Sequence, residues 1–222
     1  MSLSRPEPRV PVNERLRSLV LHQESLKSCA RCAGMVGPVI VGTAVLSPVF
    51  LIGQAPGAKE GQLGKPFAWT AGKTLFKWFA EIGISEDDFR RKVYMAAVCR
   101  CFPGKNPKGG DRVPSPQEID HCADWLNAEL NLIRPRLIIP VGKLAIGQIL
   151  PADKLDRVIG LRHTLCRESS ETDVIPLPHP SGASTWHRRE PGRTLLGQAL
   201  RLIREHPAWG EICRNASPEV LI

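Results

Sequence analysis

Two apolar patterns alternate along the chain. Short unbroken runs occur at Pro48–Gln54 ("PVFLIGQ"), Lys92–Cys101 ("KVYMAAVCRC"), Arg136–Gly142 ("RLIIPVG") and Asp173–Pro180 ("DVIPLPHP"). They are of strand length and are apolar on both faces, as strands buried inside a parallel sheet are. Between them the apolar residues recur at helical spacing. Leu75, Phe76, Phe79 and Ile82 share a face of Ala71–Gly83, and Leu16, Leu19, Val20 and Leu26 share one of Glu14–Ser28, with Asn13 as its cap. Ser115 with Glu118 three residues on is a capping-box signature for a helix running to Pro135. Lys143–Pro151 reads as a short helix and Gly192–His206 as the last one. Val36–Val45 suggests a short ribbon and Arg157–Arg167 a hairpin arm.

This β-α alternation predicts an α/β protein, a three-layer α/β/α sandwich on a central, mainly parallel four-stranded sheet. The polar, proline-rich residues 1–12 read as a flexible arm, and residues 13–222 as a single domain. In such sheets ligands bind beyond the carboxyl ends of the strands. Three loops leave such ends: "GQAPG" at Gly53–Gly57, "CRCFPG" at Cys99–Gly104 and "HPSG" at His179–Gly182. They are expected to face one crevice.

Charge narrows the partners. The 222 residues carry 30 Lys+Arg against 22 Asp+Glu, a net charge of +8 that permits a polyanion such as nucleic acid. No apolar run is long enough to span a membrane and the N-terminus does not read as a signal peptide, so a cytoplasmic protein without membrane attachment is expected. Seven cysteines in such a setting point to metal or cluster ligation rather than disulfides.

The motifs carry the chemistry. Gly-x-x-Pro-Gly after a strand can hold a polar ligand on backbone N–H groups, or can simply be a tight strand-to-helix connection. A Walker A loop is excluded, because the glycine required five residues before Gly72-Lys73-Thr74 is Phe67. No G-x-G-x-x-G follows a strand. Cys29 and Cys32 form C-x-x-C, and Cys99, Cys101 and Cys122 follow at wider spacing; four such thiolates suit a structural zinc or an iron–sulfur cluster. Cys166 and Cys213 stand apart. His179, held between Pro178 and Pro180, is a rigidly placed imidazole suited to donating a hydrogen bond to a leaving group.

Together these fragments resemble the iron–sulfur branch of the uracil-DNA glycosylase superfamily, families 4 and 5, from Cys29 to about Arg204. The family 4 pattern G-E-A-P-G, a following Glu, G-x-P-F, A-G, C-x-P and H-P-S is similar to Gly53–Gly57, Glu60, Gly64–Phe67, Ala71-Gly72, Cys101–Pro103 and His179–Ser181. The resemblance implies a [4Fe–4S] cluster on Cys29, Cys32, Cys101 and Cys122, leaving Cys99 as an extra thiol. It implies a monomer that hydrolyses the N-glycosidic bond of uracil or a related deaminated base in DNA, leaving an abasic site. Gly53, Ala55, Pro56, Gly57, Phe67 and Ala97 would surround the base; His179, Gln54 and Glu60 would form the catalytic group. Ser181, Trp186, Arg188 and Arg189 would touch DNA, Trp186 either as a wedge or as a packed aromatic.

The chain departs from the family at two places. Gln54 stands where family 4 has Glu, and Gln cannot act as a general base. Ala97 stands where family 4 reads uracil with Asn, so strict uracil specificity is not implied. A relative that captures DNA covalently does so through a histidine after the third cysteine; Phe102–Pro116 has none, and covalent capture is not expected. Two other readings compete with the enzyme. One is a damaged-DNA or single-strand DNA-binding module of the same fold without hydrolysis. The other is a zinc-stabilised α/β protein with a small-molecule substrate.

Overall fold

A computed structural model describes residues 11–107, 109–167, 170–182 and 184–214. Residues 1–10 of the expected arm lie outside the described residues, and Val12 already belongs to the first helix. That helix, α1 (Val12–Lys27), starts after Pro11, two residues before the expected Asn13 cap, and buries Leu16, Leu19, Gln23 and Leu26. Residues 36–45 form an extended segment rather than a ribbon. It holds to the chain after the second strand through the Val36–Phe102 pair and an Ile40 N–H donated to Arg100 O.

The core strands are β1 (Val49–Gly53), β2 (Tyr94–Ala97), β3 (Leu137–Pro140), β4 (His163–Arg167) and β5 (Ser170–Val174). The sheet order is β2-β1-β3-β5-β4. The first four in that order run parallel, and β4 pairs antiparallel with β5 from His163↔Val174 to Arg167↔Ser170. The sheet therefore has five strands where four were expected. The hairpin arm hydrogen-bonds along β5 and becomes the edge strand, which accounts for the difference. All five residues of β1 are buried, so both its faces are covered, as its unbroken apolar sequence requires.

The helices are α1, α2 (Ala58–Leu63), α3 (Thr70–Glu81), α4 (Glu86–Lys92), α5 (Pro116–Ile133), α6 (Lys143–Ile149), α7 (Gly192–Glu205) and α8 (Pro207–Arg214). Ser115 caps α5, with Ser115 and Glu118 exchanging the two expected hydrogen bonds. An aromatic cluster joins α3, α4 and α8: Phe79 stacks on Phe89 at 4.4 Å, and Trp209 lies 5.4 Å from Phe79 and donates its indole N–H to Ile82 O. Among the described residues no helix is long and apolar enough to cross a membrane.

A buried polar network ties α1 and α5 to β2. The Glu129 carboxylate is fully buried and accepts from both Arg100 guanidinium nitrogens and, at 2.7 Å, from the Tyr94 hydroxyl. Burial alone would push the Glu129 carboxyl up; Arg100 beside it, with His22 and Tyr94, holds it below the usual carboxylate range. Removing one partner strands the other in a dry interior. Glu129→Ala is accordingly expected to lower stability by about 3–5 kcal/mol, read as a shift of the urea midpoint at unchanged slope.

Candidate active site

The strand order reverses direction at β1, with β2 on one side and β3 on the other. A crevice opens there beyond the carboxyl ends. It is a cleft of about 1010 Å³. The first loop lines it with Gly53, Gln54, Ala55, Pro56, Gly57 and Glu60, the next with Pro66 and Phe67, and β2 with Ala97. Pro103 and Asp111 face it from the long loop after the third cysteine, and His179 and Ser181 from the loop after β5. All three strand-end loops thus meet in one cavity.

His179 is carried into the cleft by the backbone beyond β5. That segment stays in register with β3: Ile175 N–H donates to Ile138 O, and Leu177 N–H to Pro140 O. The imidazole then packs against Gly142, two residues beyond β3 at the start of α6, with φ +86; a Cβ there would lie 3.0 Å from His179 Cδ2. Glycine is needed at 142 for both its positive φ and this close approach. The Ser181 N–H donates to His179 Nδ1 at 3.2 Å. Nδ1 is therefore the acceptor and Nε2 carries the ring proton in the neutral form. Burial, with His187 nearby, pushes the imidazole below its ordinary value of 6.5. The result is a neutral, fixed N–H donor.

Phe67 adopts φ +50, unusual for a residue with a side chain. Its ring lies over Gly53, where a Cβ would meet Phe67 Cζ at 2.9 Å. Only a glycine at the end of β1 leaves room for it. From α4, Arg90 fixes this turn, donating to Pro66 O at 2.8 Å and Phe67 O at 3.0 Å, while Glu86 orients Arg90 at 2.9 Å. Neither Arg90 nor Gly142 was visible as a site residue in the sequence.

Two carboxylates stand at the cleft. Glu60 is buried and accepts the Gly57 N–H at 3.0 Å, capping α2 from within. That amide is not free for a ligand. Pro56 has no N–H, so backbone donors from this turn reduce to Gln54 and Ala55. Asp111, which the sequence did not single out, also lines the cleft and pairs with Lys105 at 2.6 Å.

The remaining loop residues fall into two groups. Ser181 lies in the cleft. Arg188 and Arg189 are exposed outside it, and Trp186 is half-buried, its Cε3 so near α7 that a Cβ on Gly192 would sit 2.7 Å away.

A second cavity, of about 400 Å³, is ringed by Cys29, Cys32, Cys101 and Cys122, with Arg100 also on its wall. Cys99 is fully buried outside that ring; its thiol points to Glu118 O at 3.6 Å. Among the described residues no three His, Cys, Asp or Glu side chains converge as ligands of a single metal ion. Cys99 beside it, with Arg100, holds the Cys122 thiol below its ordinary range against burial. Burial and the neighbouring thiols push Cys101 up to about 11 and also raise Cys32.

The family model described as the uracil DNA glycosylase superfamily matches residues 41–202. The chain belongs to this superfamily. Type-4 uracil-DNA glycosylases are among its curated relatives: that of Archaeoglobus fulgidus is 33% identical over 138 residues, covering 60% of this chain and 65% of the relative. That of Thermotoga maritima is 30% identical over 161 residues, covering 71% and 79%. The Type-5 uracil-DNA glycosylase of Thermus thermophilus is 30% identical over 185 residues, covering 78% and 73%. The match takes in the cleft residues from Gly53 to Ser184, together with Cys101 and Cys122; Ile40 of the cleft wall, Cys29 and Cys32 precede it.

Proposed function

We propose that the protein is a monofunctional DNA glycosylase of base-excision repair, its residues from 13 onward forming one catalytic domain. It hydrolyses the bond between C1′ and the base nitrogen of uracil or a related deaminated base in DNA. The observation that carries this reading is the pairing, in one cleft, of a ring-stacking Phe67 with a neutral His179 whose proton sits on Nε2.

The target base leaves the stack, at a cost of a few kcal/mol, and lies on Phe67. Gly53, Ala55, Pro56 and Ala97 shape its walls, and the Gln54 and Ala55 backbone meets its edge. As the glycosidic bond breaks, its electron pair stays with the base, and charge develops on the base oxygen. His179 Nε2–H donates there. Water adds to C1′ and loses its proton, leaving an abasic sugar and the free base. Gln54 orients that water. Glu60 holds the Gly57 amide through Oε2 and receives that proton on Oε1. Apolar Ala97 in place of an amide side chain widens the base preference beyond uracil. Ser181, Arg188 and Arg189 contact the backbone on either side.

The cysteine cavity fits a [4Fe–4S] cluster. Its donors are four thiols and no carboxylate, and burial with the neighbouring thiols disfavours ionisation of Cys32 and Cys101, a cost that positive iron between them would offset. Bound there, the cluster would be structural, tying the Cys29–Cys32 segment to Cys101 and to α5.

The test is a panel of oligonucleotides carrying uracil, hypoxanthine or xanthine, single- and double-stranded, read by alkaline cleavage. Cleavage of uracil and at least one other base is expected. Tight binding without cleavage of any would leave the DNA-binding module.

A further inference from the structure

Five tryptophans occur in the chain. Trp78 and Trp209 are buried and Trp125 and Trp186 half-buried, whereas Trp69 is 47% exposed. It stands on the rim of the active-site cleft, one residue beyond the neighbour of Phe67 and immediately before α3. Lys59 and Lys73 each place an ammonium over its ring, 5.9 Å from the centroid, where a base stacking on the indole would displace one of them toward its own phosphate. Among the described residues neither lysine has a carboxylate partner; Lys59 donates only to Gln62, at 3.2 Å. An indole left in water costs the fold apolar burial, and two unneutralised cations beside it mark the surface as made for something flat and anionic.

We propose that Trp69, Lys59 and Lys73 form a stacking platform for the nucleotide next to the flipped one. The inference rests on the glycosylase reading of the cleft. Phe67 and Trp69 are joined by at most about 7 Å of chain, about twice the 3.4 Å between stacked neighbours, a separation open to a nucleotide that has left the stack and the one beside it. One base can therefore lie on Phe67 inside the cleft while its neighbour lies on Trp69 outside, with Lys59 and Lys73 at the phosphates. Stacking on an aromatic face is tolerant of base identity and holds single strands well. Trp186, for which the sequence allowed either a wedge or a packed aromatic, lies against α7 and is not part of this platform.

The test uses full-length protein and a uracil oligonucleotide with 2-aminopurine beside the uracil. Trp69→Ala is expected to weaken binding about 10- to 100-fold, to abolish quenching of the 2-aminopurine, and to raise KM more than it lowers kcat. Trp69→Phe restores most of the affinity. Lys59→Gln with Lys73→Gln lowers the salt dependence of binding by about two units of slope at most. Wild-type affinity and quenching in Trp69→Ala would overturn the platform. Should the wild type cleave no base, the glycosylase reading fails, and loss of oligonucleotide binding in Trp69→Ala would still support the platform. No oligonucleotide binding by the wild type would remove both.

Discussion

His179→Ala is expected to lower the single-turnover rate on a uracil oligonucleotide by about 10²–10³, with binding largely kept. The size follows from what the side chain does. It supplies one fixed donor aimed where negative charge appears only as the bond breaks, and losing one such donor typically costs about 2.7–4 kcal/mol of barrier lowering. Its position is built rather than bought from substrate binding: the Ser181 N–H sets the tautomer and Gly142 gives the ring its seat. The pH profile carries the same signature. Burial pushes His179 below 6.5, so the neutral donor persists as pH falls through that value and the acid limb of the rate lies beneath it. The unfolded chain, with its ordinary histidine, binds the proton first. The histidine's contribution to stability is therefore complete above about pH 6.5 and declines as pH falls towards the lower folded value. Near-wild-type turnover in His179→Ala would sink the assignment, and His179→Gln, which keeps an N–H donor, should recover part of the rate.

Cys122→Ala is expected to bleach the broad absorbance near roughly 400 nm that marks an iron–sulfur protein, and to collapse stability. Structural metal sites contribute on the order of 10 kcal/mol of folding free energy, more than most small domains have to spare. Cys122 sits on α5, and the other three cysteines of the proposed site lie on segments before and after the sheet's first two strands, so its loss would free the Cys29–Cys32 segment from the domain. The matched control is Cys166→Ala, an exposed thiol away from the cavity, expected to change neither colour nor urea midpoint. Cys99→Ala separates the buried fifth thiol from the ligands: the chromophore should survive. A stable, fully coloured Cys122→Ala protein would show that the fourth ligand is misplaced, and a colourless wild type rich in zinc would replace the cluster.

β1, β2 and β3 were legible because a strand buried on both faces must be apolar throughout; β5 (Ser170–Val174, SETDV) is mostly polar and overlaps the expected Asp173–Pro180 strand only at Asp173 and Val174, so its start was not legible. β4 was harder, since an edge strand with Thr164 and Cys166 exposed lacks that signature and reads as a loop arm. α2 is six residues with little apolar periodicity, and α4 buries only Phe89. A signal for α4 did exist: Ser85 caps it, acidic residues fill its first turn and basic ones its last. α8 was announced only by Pro207 at its start and buried Trp209 and Ile212. In the site, Phe67 and His179 stood out because prolines and glycines bracket them. Arg90 and Gly142 did not, because each acts through the backbone or ring of a residue far away in sequence. Asp111 reaches the cleft from a long loop whose course no local pattern dictates.

The central claim is that this cleft cuts a glycosidic bond with water. It is tested most directly by incubating the protein with an oligonucleotide labelled in its uracil base and counting both products. One free uracil per abasic site, an intact sugar–phosphate strand and no protein–DNA adduct is the expected result. Oligonucleotide bound stoichiometrically with no base released, or released only as a covalent protein–DNA product, would contradict it.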